Sequence, residues 1–351
     1  MIRALVTAMA SVLLLAASAA AQAPLELKVK DRVAVPAASV NIMAAPFACD
    51  SDGNVLLRPD TGRSLPEVLK VSADGTKATH FRVTSAPGFE HSEHSAVQAF
   101  AVSPDGDIYI ATTMPPSDPY LLRFDRDGQY RSSIKLESEG ATAVMQLAVL
   151  SSKFFFVSGS RFGGKNDPIK SFAGVFDDNG RMVATVKFPP PEKRKAGRSS
   201  SGSAHTEESS LQKLESTLDT NSLSLAESGG DDNVYFTRYE PGGPTYVVSP
   251  AGEVLKQIRL DAPKETGFEL QAAKAAGGRL AIMYVGQPPD GGTSPVKIFV
   301  YNVHTGEKAA TYFYRTFEIG NALACYSPDD TFTFISSEEN GKMLLVRASA
   351  R

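Results

Sequence analysis

The stretch "AFAVSPDGDIYIATT", residues 99–113, decides the fold. Apolar residues alternate with other residues on both sides of a Pro-Asp-Gly turn, and alternation with a period of two is typical of a β-strand. Gly and Asp tolerate the positive φ that a tight hairpin turn requires. The stretch therefore predicts a β-hairpin.

Related hairpins recur along the chain. They are "FACDSDGNVLLR" (47–58), "QLAVLSSKFFFVSG" (146–159), "SLAESGGDDNVYFTR" (224–238), "LQAAKAAGGRLAIMYV" (270–285) and "LACYSPDDTFTFIS" (323–336). A second hairpin, such as "LLRFDRDGQYRSSIKL" (121–136), follows most of them. Two hairpins in roughly 50 residues supply the four antiparallel strands of one propeller blade. We predict an all-β, six-bladed β-propeller, with an open sandwich or a barrel as the alternative.

The sixth unit is one strand short, while "LELKVKDRVAV" (25–35) precedes the first unit and has no partner there. Pairing this N-terminal strand beside residues 342–348, as the outer strand of the last blade, closes the ring and removes its exposed edges. Residues 24–351 then form a single domain. The Pro-, Ser- and charge-rich segment 189–222 interrupts it between blades 3 and 4, and we expect that segment to be a mobile insertion.

Two quoted motifs carry a family resemblance. "AVSPDGDIYIA" (101–111) followed by "LLRFDRDGQ" (121–129) resembles the NHL repeat of six-bladed propellers, and the chain after residue 23 is similar to secreted bacterial members of that broad class. The absence of tryptophan argues against blades of the WD40 type. Related propellers serve as scaffolds, sugar-lactone hydrolases and lyases, so the resemblance implies an architecture rather than one activity.

The N-terminus has the pattern of a secretory signal peptide. Arg3 precedes an apolar run, and Ala21-Gln22-Ala23 supplies a small-residue cleavage pattern, so we expect removal of residues 1–23 and a secreted or periplasmic protein. The alternative is an uncleaved membrane anchor, because the run approaches the roughly 18 residues that span a bilayer. No later stretch is long and apolar enough to do so.

The charge balance limits the classes of partner that we expect. The chain has 36 basic and 39 acidic residues, and removal of residues 1–23 takes away one basic residue and no acidic residue. Nucleic acid would repel such a mildly acidic surface. We expect a monomer without a cofactor, and no membrane insertion after signal cleavage.

The two cysteines are predicted to form a disulfide, the usual state in an oxidising compartment. When the hairpins are aligned on their turns, Cys49 and Cys325 differ by one position, so their side chains point to opposite faces of their blades. Blades 1 and 6 are neighbours in a closed ring, so the two side chains either meet in that interface or both turn away from it. The alternative is two buried free thiols.

One face of the ring collects the loops that enter each innermost strand and the loops that join the second strand to the third. We call it the first face. The loop "GFEHSEHSA" (88–96) lies there, and its residues His91 and His94, with Glu90 and Glu93, are weak candidates for metal ligands. A solvated polar loop is the alternative, since no third histidine is placed to join them.

Three arginines fall just after second strands, at Arg58, Arg161 and Arg238. Their guanidiniums predict a site for an anionic ligand at the rim of the first face, because arginine binds carboxylates and phosphates bidentately. The alternative is the ordinary use of arginine at strand ends for solubility. Amides before the innermost strands, Gln98 and Asn321 among them, suit hydrogen bonding to a ligand better than metal coordination. Glu93 completes the candidate binding set.

These observations favour a binding function. We expect recognition of an extracytoplasmic protein, peptide or saccharide at the mouth of the central channel. The alternative is a metal-dependent lyase or lactone or ester hydrolase that acts in the channel. No catalytic residue is assigned, because no nucleophile triad or pair of catalytic carboxylates is recognisable.

Overall fold

The computed structural model describes residues 23–39, 46–59, 66–91, 96–114, 118–138, 141–151, 153–162, 169–189, 224–238, 242–288, 292–315, 318–320, 322–338 and 341–350. The predictions for residues 1–22 and for the insertion beyond Pro189 lie outside these residues. No helix among the described residues is long and apolar enough to cross a membrane.

The predicted blades are present as six antiparallel four-stranded sheets. Blade 1 contains β3 (Ala48–Cys49), β4 (Val55–Leu57), β5 (Glu67–Val71) and β6 (Ala78–Arg82). Blade 2 contains β7 (Ala99–Val102), β8 (Ile108–Met114), β9 (Asp118–Phe124) and β10 (Tyr130–Lys135). Blade 3 contains β11 (Ala141–Ser151), β12 (Phe154–Phe162), β13 (Lys170–Asp177) and β14 (Met182–Thr185).

The second half of the ring repeats the pattern. Blade 4 contains β15 (Ser224–Ser228), β16 (Val234–Arg238), β17 (Thr245–Val248) and β18 (Val254–Ile258). Blade 5 contains β19 (Phe268–Ala276), β20 (Arg279–Gly286), β21 (Val296–Asn302) and β22 (Lys308–Tyr314), with β1 (Leu25–Glu26) added outside β22. Blade 6 contains β23 (Ala322–Tyr326), β24 (Phe332–Ser337), β25 (Lys342–Ser349) and, outermost, β2 (Lys28–Ser39).

Apolar residues hold neighbouring blades together. The buried side chains form six clusters, and each cluster joins two adjacent blades. Strand β8 shows why: Ile108 and Ile110 pack towards blade 1, whereas Tyr109 and Ala111 pack towards blade 3. Because successive side chains of a strand point to opposite faces, a strand between two blades can bury consecutive residues, as Ile108–Thr112 of β8 are buried.

The N-terminal strand closes the ring as predicted. Strand β2 pairs antiparallel with β25, with Arg32 opposite Val346 and Ala34 opposite Leu344. One feature was not predicted: the two residues of β1 pair in parallel with β22, Leu25 opposite Tyr312 and Glu26 opposite Phe313. The leading segment therefore bridges blades 5 and 6.

Glycines in the outer hairpin turns show that β2 is an integral outer strand. A Cβ at Gly128 of blade 2, where φ is +87°, would lie 2.9 Å from the carbonyl oxygen of His80 on β6. A Cβ at Gly75 of blade 1, where φ is +70°, would lie 2.9 Å from the carbonyl oxygen of Ala34 on β2. Strand β2 thus faces blade 1 as β6 faces blade 2.

The predicted disulfide is present. Cys49 of β3 and Cys325 of β23 are bonded, with their Cα atoms 5.7 Å apart and 276 positions apart in sequence. Cys325 belongs to the apolar cluster between blades 6 and 1, and Cys49 packs against it. The opposite-facing side chains therefore meet in the interface, and the bond joins the two ends of the ring.

Candidate functional site: the central channel and its first face

The innermost strands β3, β7, β11, β15, β19 and β23 contact one another in a ring. They enclose a cavity of about 120 Å³ that residues from all six strands line. Most of the lining residues are of apolar types, and two of the described ones, Glu227 and Lys274, carry a charge. The two charged residues of the described lining form an ion pair with each other.

Lys274 connects three blades at this centre. It lies on β19, and its Nζ donates to Glu227 Oε1 on β15 at 2.6 Å and to the carbonyl oxygen of Phe47, just before β3, at 2.5 Å. The Lys274 side chain is 9% exposed and the Glu227 side chain 24% exposed, and Glu227 lines the channel cavity. Removal of the carboxyl from bulk water raises the pKa of Glu227, and the charge and hydrogen bond of Lys274 oppose that rise.

Side-chain amides join the other innermost strands. Gln98, before β7, accepts a hydrogen bond from Val144 N on β11 at 2.9 Å through its Oε1 atom. Gln146 of β11 accepts one from Ala226 N on β15 at 3.4 Å. Gln98 was predicted to bind a ligand, and the structure places it at the first face with its carbonyl oxygen bonded to the next blade.

Arg58 belongs to the same series of contacts. It is half-buried after β4, and its Nη1 donates to the carbonyl oxygen of Val97 at 3.0 Å, directly before Gln98. The contacts of Arg58, Gln98, Gln146 and Lys274 therefore link blades 1 to 5 around the channel. The disulfide adds the link from blade 6 to blade 1.

The other two predicted arginines differ from Arg58 in their surroundings. Arg238, at the end of β16, is 4% exposed, and its Nη2 donates to the carbonyl oxygen of Pro189 at 3.0 Å. Arg161, near the end of β12, is half-buried with its guanidinium 5.0 Å from the centre of the Phe172 ring. The three arginines belong to blades 1, 3 and 4, and each contacts different neighbours.

The predicted metal ligands are only partly described. His91 is exposed, and Glu90 accepts a hydrogen bond from Gly88 N at 2.9 Å. Backbone hydrogen bonds at Glu90 and Gly88 lower the pKa of the Glu90 carboxyl. Within the described residues no three His, Cys, Asp or Glu side chains come together as a metal-binding group. Glu93, His94 and Asn321 lie outside those residues, so their roles stay predictions.

Two exposed apolar side chains mark the first face of blade 3. Met145 is 40% exposed at a bulge of β11, and Phe162 is 43% exposed at the end of β12. Ala141 pairs with Phe162 and Val144 with Gly159, so both residues lie in the half of the hairpin that is away from its turn. Arg161 precedes Phe162 in the same strand, so the two side chains point to opposite faces of it, and this part of the hairpin carries a cationic and an apolar side chain.

Sequence reasoning missed four of these residues: Glu227, Lys274, Met145 and Phe162. A signal was available for Lys274, which is the single charge in the apolar strand "LQAAKAA" (270–276). A lysine in an otherwise apolar innermost strand predicts a buried partner. The identity of that partner was not readable, because Glu227 and Phe47 come from other blades.

Comparisons with known proteins add little beyond architecture. No protein-family model matches the chain, and no curated protein matches its sequence. Among solved structures, the PQQ-bound form of an aldose sugar dehydrogenase from Streptomyces coelicolor is 12% identical, with 92% of this chain and 98% of that chain covered and a TM-score of 0.48.

Two further solved structures have lower sequence identities and TM-scores. A protein of unknown function from Bacteroides caccae is 10% identical, with 83% and 81% of the two chains covered and a TM-score of 0.38. A chain of a mitotic checkpoint complex is 10% identical, with 94% of each chain covered and a TM-score of 0.45. Because all three sequence identities and TM-scores are this low, we assign neither a ligand nor an activity to this chain from these structures.

Proposed function

We propose that the chain is a secreted or periplasmic binding propeller whose first face recognises a protein or peptide. The observation that carries the proposal is the exposure of Met145 and Phe162 in the half of one hairpin that also carries Arg161. Methionine, aromatic residues and arginine are enriched at protein interfaces.

An anionic group on the partner fits the same face. Arg58 and Arg161 are half-buried, so neither residue is fully removed from solvent. Arginine pairs with carboxylates in a bidentate geometry that lysine cannot reproduce. We assign Arg238 a supporting role, because its guanidinium is buried against Pro189.

The extracytoplasmic location rests on two features. The signal-peptide pattern of residues 1–23 predicts export. The Cys49–Cys325 bond agrees with an oxidising compartment, where disulfides persist. Sequencing of the N-terminus of the protein purified from its native host tests this part, with Pro24 as the expected first residue.

The binding function is tested with immobilised protein exposed to extracytoplasmic extract and, separately, to a saccharide array. We expect wild-type protein to retain a specific protein or peptide, and the double variant Met145→Ser/Phe162→Ser to lose it. The matched control is Val183→Ser/Leu255→Ser, which alters two side chains exposed on outer strands at 49% and 56%. Retention by both variants alike, or retention of a saccharide alone, would contradict the proposal.

A further inference from the structure

A groove of about 1180 Å³ lies on the outer part of blade 5. The loop 261–266 lines it on one side, and strands β21 and β22 line it on the other. Phe299 pairs with Thr311, and Phe313 lies two residues further along β22, so the three side chains point to one face of the blade. Phe299 belongs to the apolar cluster between blades 4 and 5, so this face is the one towards blade 4.

The leading segment of the chain closes one edge of the groove. Ala23 and Pro24 line it, and the parallel pairing of Leu25 with Tyr312 sets them beside β22. The volume of the groove is the space that these residues leave free. A ligand in that space contacts side chains rather than the backbone edge of β22.

Ion pairs join the two walls of the groove. Lys297 Nζ donates to both carboxylate oxygens of Glu265, at 2.5 and 2.6 Å. Lys308 Nζ donates to Asp261 Oδ2 at 2.6 Å, at the other end of the loop. Because the lysines belong to β21 and β22 and the acidic residues to the loop, the chain's own contacts form the groove.

Aromatic rings form an apolar surface in the groove. Phe268, Phe299 and Phe313 line it. Phe299 is buried, and the ammonium group of Lys308 lies 4.9 Å from the centre of its ring. Phe268 and Phe313 are half-buried, so part of each residue stays open to a ligand. A flat apolar group can pack against these two rings.

The groove also has an excess of positive charge. Four basic and two acidic residues line it, and the two acidic residues are those already paired with Lys297 and Lys308. The other two basic residues, Lys264 and Arg315, are exposed and make no ion pair with any residue in the described part of the chain. Two cations are therefore available to an anionic group.

We infer that the groove binds a small aromatic carboxylate. Its ring packs against Phe268 and Phe313, and its carboxylate pairs with Arg315 and Lys264. Arginine binds a carboxylate bidentately, and a groove of this size has room for a molecule of one or two rings. The site belongs to blade 5 and is independent of the first-face proposal, which rests on blade 3.

The probe is cinnamate, followed in a ligand-observed NMR titration with the full chain. We expect saturable binding with a dissociation constant of about 5 mM or tighter. Cinnamyl alcohol keeps the ring and lacks the charge, whereas acetate keeps the charge and lacks the ring. Each is expected to bind about fivefold or more weakly than cinnamate, because each lacks one of the two groups that the groove recognises.

A pair of matched variants locates the carboxylate. Lys264→Gln/Arg315→Gln removes the two available cations and should weaken cinnamate binding about fivefold or more. Both side chains are exposed, so the thermal unfolding midpoint should stay unchanged. The control is Arg131→Gln/Lys135→Gln, which removes one arginine and one lysine from exposed ion pairs on the outer strand of blade 2. It should leave the affinity for cinnamate unchanged.

Four results would overturn the inference. They are no saturable binding of cinnamate, equal affinity for cinnamate and either of its analogues, unchanged affinity in Lys264→Gln/Arg315→Gln, and loss of binding in Met145→Ser/Phe162→Ser. The last result would place cinnamate at the first face instead. The ligand comparisons use the unaltered protein, so they decide the matter even where a variant fails to fold.

Discussion

Lys274 Nζ lies 2.6 Å from Glu227 Oε1, and the two residues belong to adjacent blades at the centre of the ring. The same ammonium group reaches the carbonyl oxygen of Phe47 in blade 1, which is not adjacent to blade 5. A single side chain thus links strands on different sides of the channel. This arrangement predicts a large contribution of Lys274 to stability.

Lys274→Met should lower the free energy of unfolding by about 3–5 kcal/mol, because it leaves the Glu227 carboxylate without its charged partner. Denaturant unfolding followed by circular dichroism measures the change. Lys274→Met/Glu227→Leu should recover most of the loss, since an apolar pair of similar volume can replace a buried ion pair. The control Lys135→Met, which breaks an exposed pair, should change little. Equal effects of the two single variants would contradict the role of the central pair.

Glu227 should make stability depend on pH in a definite direction. Burial raises the pKa of its carboxyl above the ordinary value of 4.5. The folded state then holds this proton more tightly than the unfolded state, so the contribution of Glu227 to the unfolding free energy falls as pH rises above about that value. The unfolding free energy of wild type minus that of Glu227→Gln should therefore decrease between pH 4 and pH 8. A difference that increases with pH would show that the pKa shift has the opposite sign.

The disulfide should stabilise the closed ring. The bond joins residues 276 positions apart, and the chain-entropy model assigns about 5–6 kcal/mol as an upper value to such a long loop. Cys49→Ala/Cys325→Ala should lower the unfolding free energy by up to that amount. Intact mass after alkylation, with and without reductant, checks the bond itself. Two alkylated thiols in the native, unreduced protein would contradict it.

Gly75→Ala should destabilise the protein more than Gly230→Ala. Both glycines have positive φ, +70° and +72°, so both substitutions carry the strain of a left-handed backbone. A Cβ at Gly75 would collide with Ala34 of the N-terminal strand, whereas a Cβ at Gly230 has open space within 4 Å. We expect a difference of about 1 kcal/mol or more in thermal or denaturant unfolding. Equal losses would show that β2 does not pack against blade 1.

Arg238 should contribute more to the free energy of unfolding than Arg161 does. Arg238→Ala removes a buried guanidinium and its hydrogen bond to Pro189, so we expect a loss of about 2–4 kcal/mol of stability. Arg161 is half-buried and its contact with the Phe172 ring contributes about 1 kcal/mol or less, so a smaller loss is expected for Arg161→Ala. Unfolding curves of both variants test this order, and a larger loss for Arg161→Ala would reverse the assignment.

Most of the architecture was predictable because it is local and repeated. Alternating strands and Asp-Gly turns such as that at Asp105-Gly106 specify hairpins within about fifteen residues. The missing sixth strand then required the N-terminal segment, and the one-residue offset of Cys49 and Cys325 agreed with a bond between blades. The parallel pairing of Leu25 with Tyr312 was not predictable, since two residues carry no periodic pattern.

The candidate site was harder to predict because it depends on contacts between blades. Gln98 and Arg58 were predicted to lie at the first face, but their hydrogen-bonding partners, Val144 N and the Val97 carbonyl, are backbone groups that no residue type identifies. Likewise, the burial of Arg238 depends on Pro189 from the preceding blade. The position of a residue along its strand predicts the face of the sheet to which its side chain points. The residues that the side chain contacts belong to the neighbouring blade, and the sequence of one strand does not identify them.

The central claim is that residues 28–35 form the outer strand of the last blade and so close a six-bladed ring. Hydrogen–deuterium exchange of the intact protein, read by mass spectrometry, tests it most directly. Peptides from 28–35 and 342–349 should be protected together, because the two strands share one ladder of hydrogen bonds. Exchange of 28–35 as fast as an unpaired chain, with 342–349 still protected, would contradict the closure.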